Sequence, residues 1–325
     1  QKCLKGENII HFTSLFPAFA FINNPAFAFL KKNKYSTKFL YTLHNYHYSI
    51  ASKPKNIFTN HPKEWRLLHD AEIEIVKKVD AAIVTSKEYS ITLSKKYGFK
   101  IHHLPNTIGN RSQYTVKNKR LLKHKYILSL SRLSSEKNID KILSIFKLSL
   151  NKNNNLRLII AGSGTEETRL KNIAHKLNLK YYTRKKNESI CNLLKMVNAF
   201  SVFFVGYVSG KEKISLLNLA SIFVALSQHE VSPLIGLENL VYGNPVLVCN
   251  IPGWRDFKRQ GAKISLINPN KVNESSNKLL EILDKSCKEQ NAVQEKNFAI
   301  YDKYYSPEVV IPKRLKLYEK LIKNK

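Results

Sequence analysis

Short runs rich in β-branched and aromatic residues alternate with stretches whose apolar residues recur at helical spacing, and no other feature of this chain constrains its fold as tightly. Such alternation is the pattern of parallel α/β structure. In the first third it predicts strands at NIIHFTS (8–14), KFLYTLH (38–44), DAAIVTS (80–86) and KIHHLPN (100–106), with helices over 63–79 and 87–97. The polar, basic stretch 108–123 reads as a linker. Six further strands follow at 125–131, 156–163, 201–208, 221–227, 245–250 and 262–267. Helices are expected over 138–152, 165–179, from Lys211, over 233–242 and over 272–285. The last segment, SPEVVIPKRLKLYEKLIKNK, reads as a helix capped by Ser306, opened by Pro307 and kinked at Pro312. The expected organisation is an incomplete first Rossmann-like domain (1–115), a complete doubly wound second domain (116–305) and a C-terminal helix (306–325) packing back on the first.

Composition narrows the partners without choosing one. Lys and Arg number 54 against 24 Asp and Glu, a formal net charge of +30, which favours polyanions such as nucleic acid, anionic lipid or phosphorylated substrates. No RNA- or DNA-binding motif accompanies the charge, so no nucleic-acid partner is expected. Cys3, Cys191, Cys249 and Cys287 lie far apart without CxxC or paired histidines, which reads as reduced thiols and no metal site. The apolar stretch Phe12–Leu30 is interrupted by Pro17, Asn23, Asn24 and Pro25 and does not read as a membrane span. The sequence starts at Gln1 and its only methionine is Met196, so a fragment or trimmed product is expected.

In open α/β sheets ligands sit beyond the carboxyl ends of the strands. After 125–131 stands RLSSEK, whose Arg132 and Lys137 at a helix entry could cradle a diphosphate or simply form a solvated basic loop. After 156–163 stands AGSGTEE, where Gly162 and Gly164 say that the backbone turns sharply or that something approaches closely. After 221–227 comes EVSPLIGLE (230–238). Ser232 suits an N-cap, Pro233 the first helical position and Gly243 the stop, which places Glu230 in the loop and Glu238 on an apolar, buried helix without an evident local cation. A buried carboxylate needs a partner, either a structural cation or a hydroxyl pair such as a ribose diol.

SRLSSEK, IIAGSG, FVGYVS followed by KEKISLL, and Glu-x7-Glu with YGNPVLV, in this order, resemble the family-four retaining glycosyltransferases of the B-type fold, with two Rossmann-like domains. The resemblance runs from about Lys125 to Asn268 and more weakly upstream through IIHFTSLFPAFAF, YTLHNYH, DAAIVTSKEYS and HHLPNTI. It implies that Arg132 and Lys137 neutralise the donor diphosphate, that Glu230 contacts the transferred sugar and that Glu238 binds the nucleotide ribose. It further implies that backbone amides of Ser232, Pro233 and Leu234 meet sugar and phosphate, and that His44 lies near the reacting centre. The expected activity is transfer from a nucleotide-diphospho-sugar to a glycan or lipid-linked acceptor with retention. No metal and no cofactor are implied, and the setting is bacterial surface polysaccharide synthesis, cytoplasmic and peripheral on an anionic membrane face. Departures are Ser131 in place of a glycine, Gly109 in place of an aspartate, a long connection over 184–200, and no counterpart of the family's first strand and glycine-rich loop. The last departure supports an alternative, a non-catalytic nucleotide-sugar-binding or scaffold protein.

Overall fold

A computed structural model describes residues 8–32, 37–44, 62–109, 124–194 and 196–323. The chain divides into two compact units. The first comprises Gln1–Ile108, His229–Pro233 and Tyr304–Lys325, and the second Gly109–Gln228 and Leu234–Lys303. This division falls after Ile108 rather than near 115, and it assigns four residues of the 230–238 region, Glu230–Pro233, to the first unit. The expected linker lies, from residue 110 to 123, outside the described residues.

The first unit is built on a parallel sheet of β1 (Asn8–Phe12), β2 (Thr37–Leu43), β3 (Ala81–Val84) and β4 (Ile101–His103), in that order. These are the four strands expected, three of them shortened and β2 shifted by one residue. One face buries Phe39, Tyr41, Leu43 and Val84 against helices that include Pro62–Lys78 and Lys87–Tyr97. Ser86 caps the latter by accepting the Tyr89 amide at 3.3 Å, and Gly98 ends it at φ 62°. The opposite face takes Leu317, Tyr318 and Leu321 of the terminal helix Pro307–Lys323, which carries Pro312 inside it.

The apolar stretch near the start forms two eight-residue helices, Leu15–Ile22 and Pro25–Lys32. Asn23 and Asn24 separate them, and Asn24 Oδ1 accepts the Ala26 amide at 2.9 Å. Leu15, Ala18, Ile22 and Phe27 are buried, whereas Phe16 is 71% and Phe29 59% exposed. Among the described residues no helix is long and apolar enough to cross a membrane.

The second unit carries seven parallel strands where six were expected. They are β5 (Lys125–Leu130), β6 (Leu156–Ala161), β7 (Tyr181–Thr183), β8 (Val202–Gly206), β9 (Ile222–Ala225), β10 (Val246–Cys249) and β11 (Ile264–Ile267). The order is β11-β10-β9-β5-β6-β8-β7. The added strand is the three-residue edge β7, paired to β8 alone and too short to show a period of its own. Strand order reverses between β5 and β9, the switch point at which open α/β sheets bind ligands. The core gathers Leu143, Phe146, Leu158, Ile160, Phe204 and Leu247 between the sheet and helices that include Ile139–Lys152 and Val272–Leu283.

Candidate functional site

The loop leaving β5 carries the two expected cations. It makes a short 3-10 turn at Ser135–Lys137, passes through Asn138 at φ 50° and enters the helix Ile139–Lys152. Three hydrogen bonds fasten it to the segment after β9. The Gln228 amide donates to the Glu136 carbonyl at 2.9 Å, Asn138 Nδ2 to the Leu226 carbonyl at 2.8 Å, and Gln228 Nε2 to Asn138 Oδ1 at 3.2 Å. The switch point is thus fastened at the backbone, while Arg132 stays outward and Lys137 is half-buried. The Arg132 side chain is 80% exposed and only 3.5 Å from Glu136, a weak anchor. Glu136 is itself engaged by the Ser134 hydroxyl at 2.6 Å.

The glycine turn after β6 has a different cause from ligand approach. Gly162 sits at φ 138° and its amide donates to the Gly206 carbonyl at 2.7 Å. A Cβ there would lie 1.8 Å from the Ser131 carbonyl oxygen, and one at Gly164 would lie 2.2 Å from that of Leu133. The close approach is made by the chain's own β5 loop. Both glycines therefore set the height of the Arg132 loop above the sheet.

Glu238 lies on the helix Leu234–Val241, which starts one residue after the Pro233 start read from sequence. Leu234 is exposed, so the helix is not buried all round. Gly236 admits Trp254 and Phe257, to which a Cβ would come within 2.8 and 2.9 Å. Gly243, at φ 63°, ends the segment as expected. The Glu238 side chain is 16% exposed. Its Oε1 accepts from Lys213 Nζ at 2.5 Å, while its Oε2 is enclosed with no hydrogen-bond partner among the described residues. The structural cation that the sequence left open as a partner is Lys213, on the helix Gly210–Leu219 and 25 residues away in the chain. Both alternatives for the carboxylate are half met, one oxygen paired structurally and the other open to a hydroxyl donor.

Glu230, Ser232 and Pro233 belong to the first unit, and Leu234 begins the second unit's continuation. Asn106 Nδ2 donates to the Ser232 carbonyl at 3.2 Å, and Val231 joins the first core. His44 follows β2 in the first unit. Burial and the Arg314 charge hold its imidazole below the ordinary histidine pKa. The structure thus brings Arg132 and Lys137 into one loop of the second unit, with Glu238 on the same unit. Glu230, Ser232, Pro233 and His44 are carried by the first.

Sequence reasoning assigned no role to Lys213 or to Arg184 and Glu212. Arg184 engages Glu212 through both terminal nitrogens and donates from Nε to the Glu188 carbonyl at 2.6 Å. This clamp walls a cavity of about 620 Å³ at the β7/β8 edge, lined also by Lys185, Lys186 and the exposed Tyr207. The signals were the acids and bases of KEKISLL, quoted only for the family resemblance, and of RKKNE, noted only as part of a long connection. Among the described residues no group of three or more His, Cys, Asp and Glu could hold a metal ion.

A family model described as "Glycosyl transferases group 1" matches residues 124–285. An uncharacterised glycosyltransferase of Haemophilus influenzae is 29% identical over 170 residues, 52% of this chain and 42% of that protein. An alpha-monoglucosyldiacylglycerol synthase of Streptococcus pneumoniae is 30% identical over 128 residues, 39% of this chain and 25% of that protein. The chain thus matches less than half the length of these curated relatives. A solved structure of S. aureus TarM, a mutant in complex with Fondaparinux, alpha-GlcNAc-glycerol and UDP, aligns with TM-score 0.68 at 18% identity, over 95% of this chain and 59% of that one. At that identity the likeness speaks for the two-sheet α/β fold. Through residues 124–285, the region holding Arg132, Lys137, Lys213 and Glu238, the chain belongs to the group 1 glycosyl transferases of the B-type fold.

Proposed function

We propose that this chain transfers a sugar, with retention, from a nucleotide-diphospho-sugar to a glycan or lipid-linked acceptor in bacterial surface polysaccharide synthesis. The half-satisfied carboxylate of Glu238 carries the reading, because an enclosed acceptor oxygen beside a paired one suits a hydroxyl of the nucleotide ribose. Arg132 and Lys137 stabilise the departing diphosphate by charge, with amides at the helix start assisting, and the acceptor attacks from the face the diphosphate leaves. Glu230 contacts the transferred sugar, the Ser232–Leu234 amides meet sugar and phosphate, and His44 serves the reacting centre. Charge stabilisation by side chains replaces a metal, and no cofactor takes part. The UDP held by TarM and the lipid product named for the pneumococcal relative support a nucleotide donor and a lipid-linked acceptor. The exposed Phe16 and Phe29, with Lys31 and Lys32, support peripheral attachment to an anionic membrane face.

Isothermal titration with UDP, GDP and ADP tests the donor half. Arg132→Ala and Lys137→Ala should each cost about tenfold or more in nucleoside diphosphate affinity while barely changing that of the bare nucleoside. Equal losses for both ligands would remove the two cations from the cradle. Turnover should survive EDTA, and binding without turnover of any donor would favour the non-catalytic reading.

A further inference from the structure

The terminal helix covers one face of the first sheet, and that face changes character along the strands. Side chains alternate across a strand, so Ile9 and His11 share this face, as do Leu40, Thr42 and His44. Toward the amino ends it is apolar, with Ile9, Leu40, Ala81, Leu317 and Leu321 packed together. Toward the carboxyl ends, where ligands of such sheets sit, it turns polar. His11 Nδ1 lies 2.8 Å from the Tyr318 hydroxyl and His11 Nε2 lies 2.6 Å from Thr42 Oγ1. Arg314 stands one helical turn before Tyr318, on the same side of the helix. Its Nε is enclosed with no hydrogen-bond partner among the described residues.

Among the described residues, the charged neighbours that shift these imidazoles are bases. Burial first, then Arg314 and His44, lower the His11 pKa to about 4, and burial and Arg314 lower that of His44. A guanidinium whose enclosed Nε meets no acceptor among the described residues, and whose charge disfavours the protonated form of both imidazoles, calls for an anion to complete it. A planar guanidinium fork suits an oxyanion. Arg314 is half-buried and His44 is desolvated on one side but keeps part of its surface in solvent, so the cluster is open at its rim.

We propose that Arg314, His44 and the Tyr318–His11–Thr42 relay form an oxyanion site at the carboxyl ends of β1 and β2, which holds a phosphate-type group of the acceptor. Arg314 makes the principal contact. His44 gains a proton as the anion arrives, and Tyr318 and Thr42 fix the His11 ring. Assigning the anion to the acceptor rests on the transferase reading; the site itself does not.

The test follows the histidine ring resonances of the whole chain by NMR during titration with sodium sulfate at constant ionic strength, with chloride as the control. His11→Gln and His44→Gln assign the signals. Sulfate should move both resonances and raise the apparent His44 pKa, and binding should tighten as the pH falls because a proton is taken up. Arg314→Met should weaken the sulfate response about tenfold, and Arg314→Lys, which keeps the charge, should retain part of it. Resonances that sulfate leaves unmoved in the parent chain, or moves equally in Arg314→Met, would overturn the site. Glycerol phosphate competing with sulfate would identify a soluble phosphate ester as the source, and competition by phosphatidylglycerol vesicles alone a lipid headgroup. UDP affinity measured on the same samples separates the two readings. A silent sulfate titration with intact UDP binding sinks this site alone, whereas a sulfate response without UDP binding sinks the donor reading alone.

Discussion

Glu238 keeps one carboxylate oxygen against Lys213 and the other enclosed without a donor. The free chain accepts that cost, which is about 1–3 kcal/mol for an unmet buried acceptor, and a ribose hydroxyl would remove it. Glu238→Gln keeps the shape but loses charge at both oxygens. UDP affinity should fall by about 1.5–3 kcal/mol, with the unfolding midpoint shifted little. Lys213→Met should do the reverse and act first on stability, by about 1–3 kcal/mol, because it strands a mostly buried carboxylate. Calorimetry for affinity and thermal unfolding for stability separate the two. If Glu238→Gln unfolds the protein and leaves residual affinity unchanged, the glutamate is a structural partner of Lys213 alone. The sequence showed the carboxylate and its need for a partner. It could not show Lys213, which stands 25 residues away with β9 between the two helices.

At the scale of elements, the carboxyl end of the second sheet is a stack of loops held at fixed height. Gly162 and Gly164 let the β6 turn lie directly on the β5 loop, and Gln228 and Asn138 tie that loop to the end of β9. Gly162→Ala would drive a methyl group into the Ser131 carbonyl and add strain at positive φ. It should destabilise the protein by about 2–4 kcal/mol and weaken UDP binding through the displaced Arg132. Gly98→Ala, at φ 62° with open space around the added carbon, should cost only about 1 kcal/mol. Denaturant unfolding of the pair checks this, and equal losses would mean that the Ser131 contact relaxes freely. From the sequence, Gly162-Ser163-Gly164 could be read only as a sharp turn or a close approach, because a glycine shows that something comes near without saying what. Strand β7 was not legible at all, since three residues cannot display a two-residue period.

At the scale of the whole molecule, a net charge of +30 combines with solvent-facing phenylalanines on two short helices. For the proposed attachment, the charge would supply long-range attraction to an anionic surface and the rings short-range insertion. The protein should cosediment with phosphatidylglycerol vesicles at low salt and largely dissociate by about 0.5 M salt, where screening is short-ranged. Phe16→Ser should weaken binding without changing the salt dependence. Equal binding to phosphatidylcholine vesicles, or none to either, would rule out this attachment. The sequence by itself determined both parallel sheets, most of their strands and helices, and the residue types standing at the strand ends, because hydrophobic period and end signals are local properties of the chain. Only the tertiary structure decided that Lys213 would satisfy half of Glu238, that the β5 loop would fill the space left by two glycines, and that Tyr318 would reach His11 across 307 residues. Those pairings depend on how helices pack upon sheets, which no local pattern encodes.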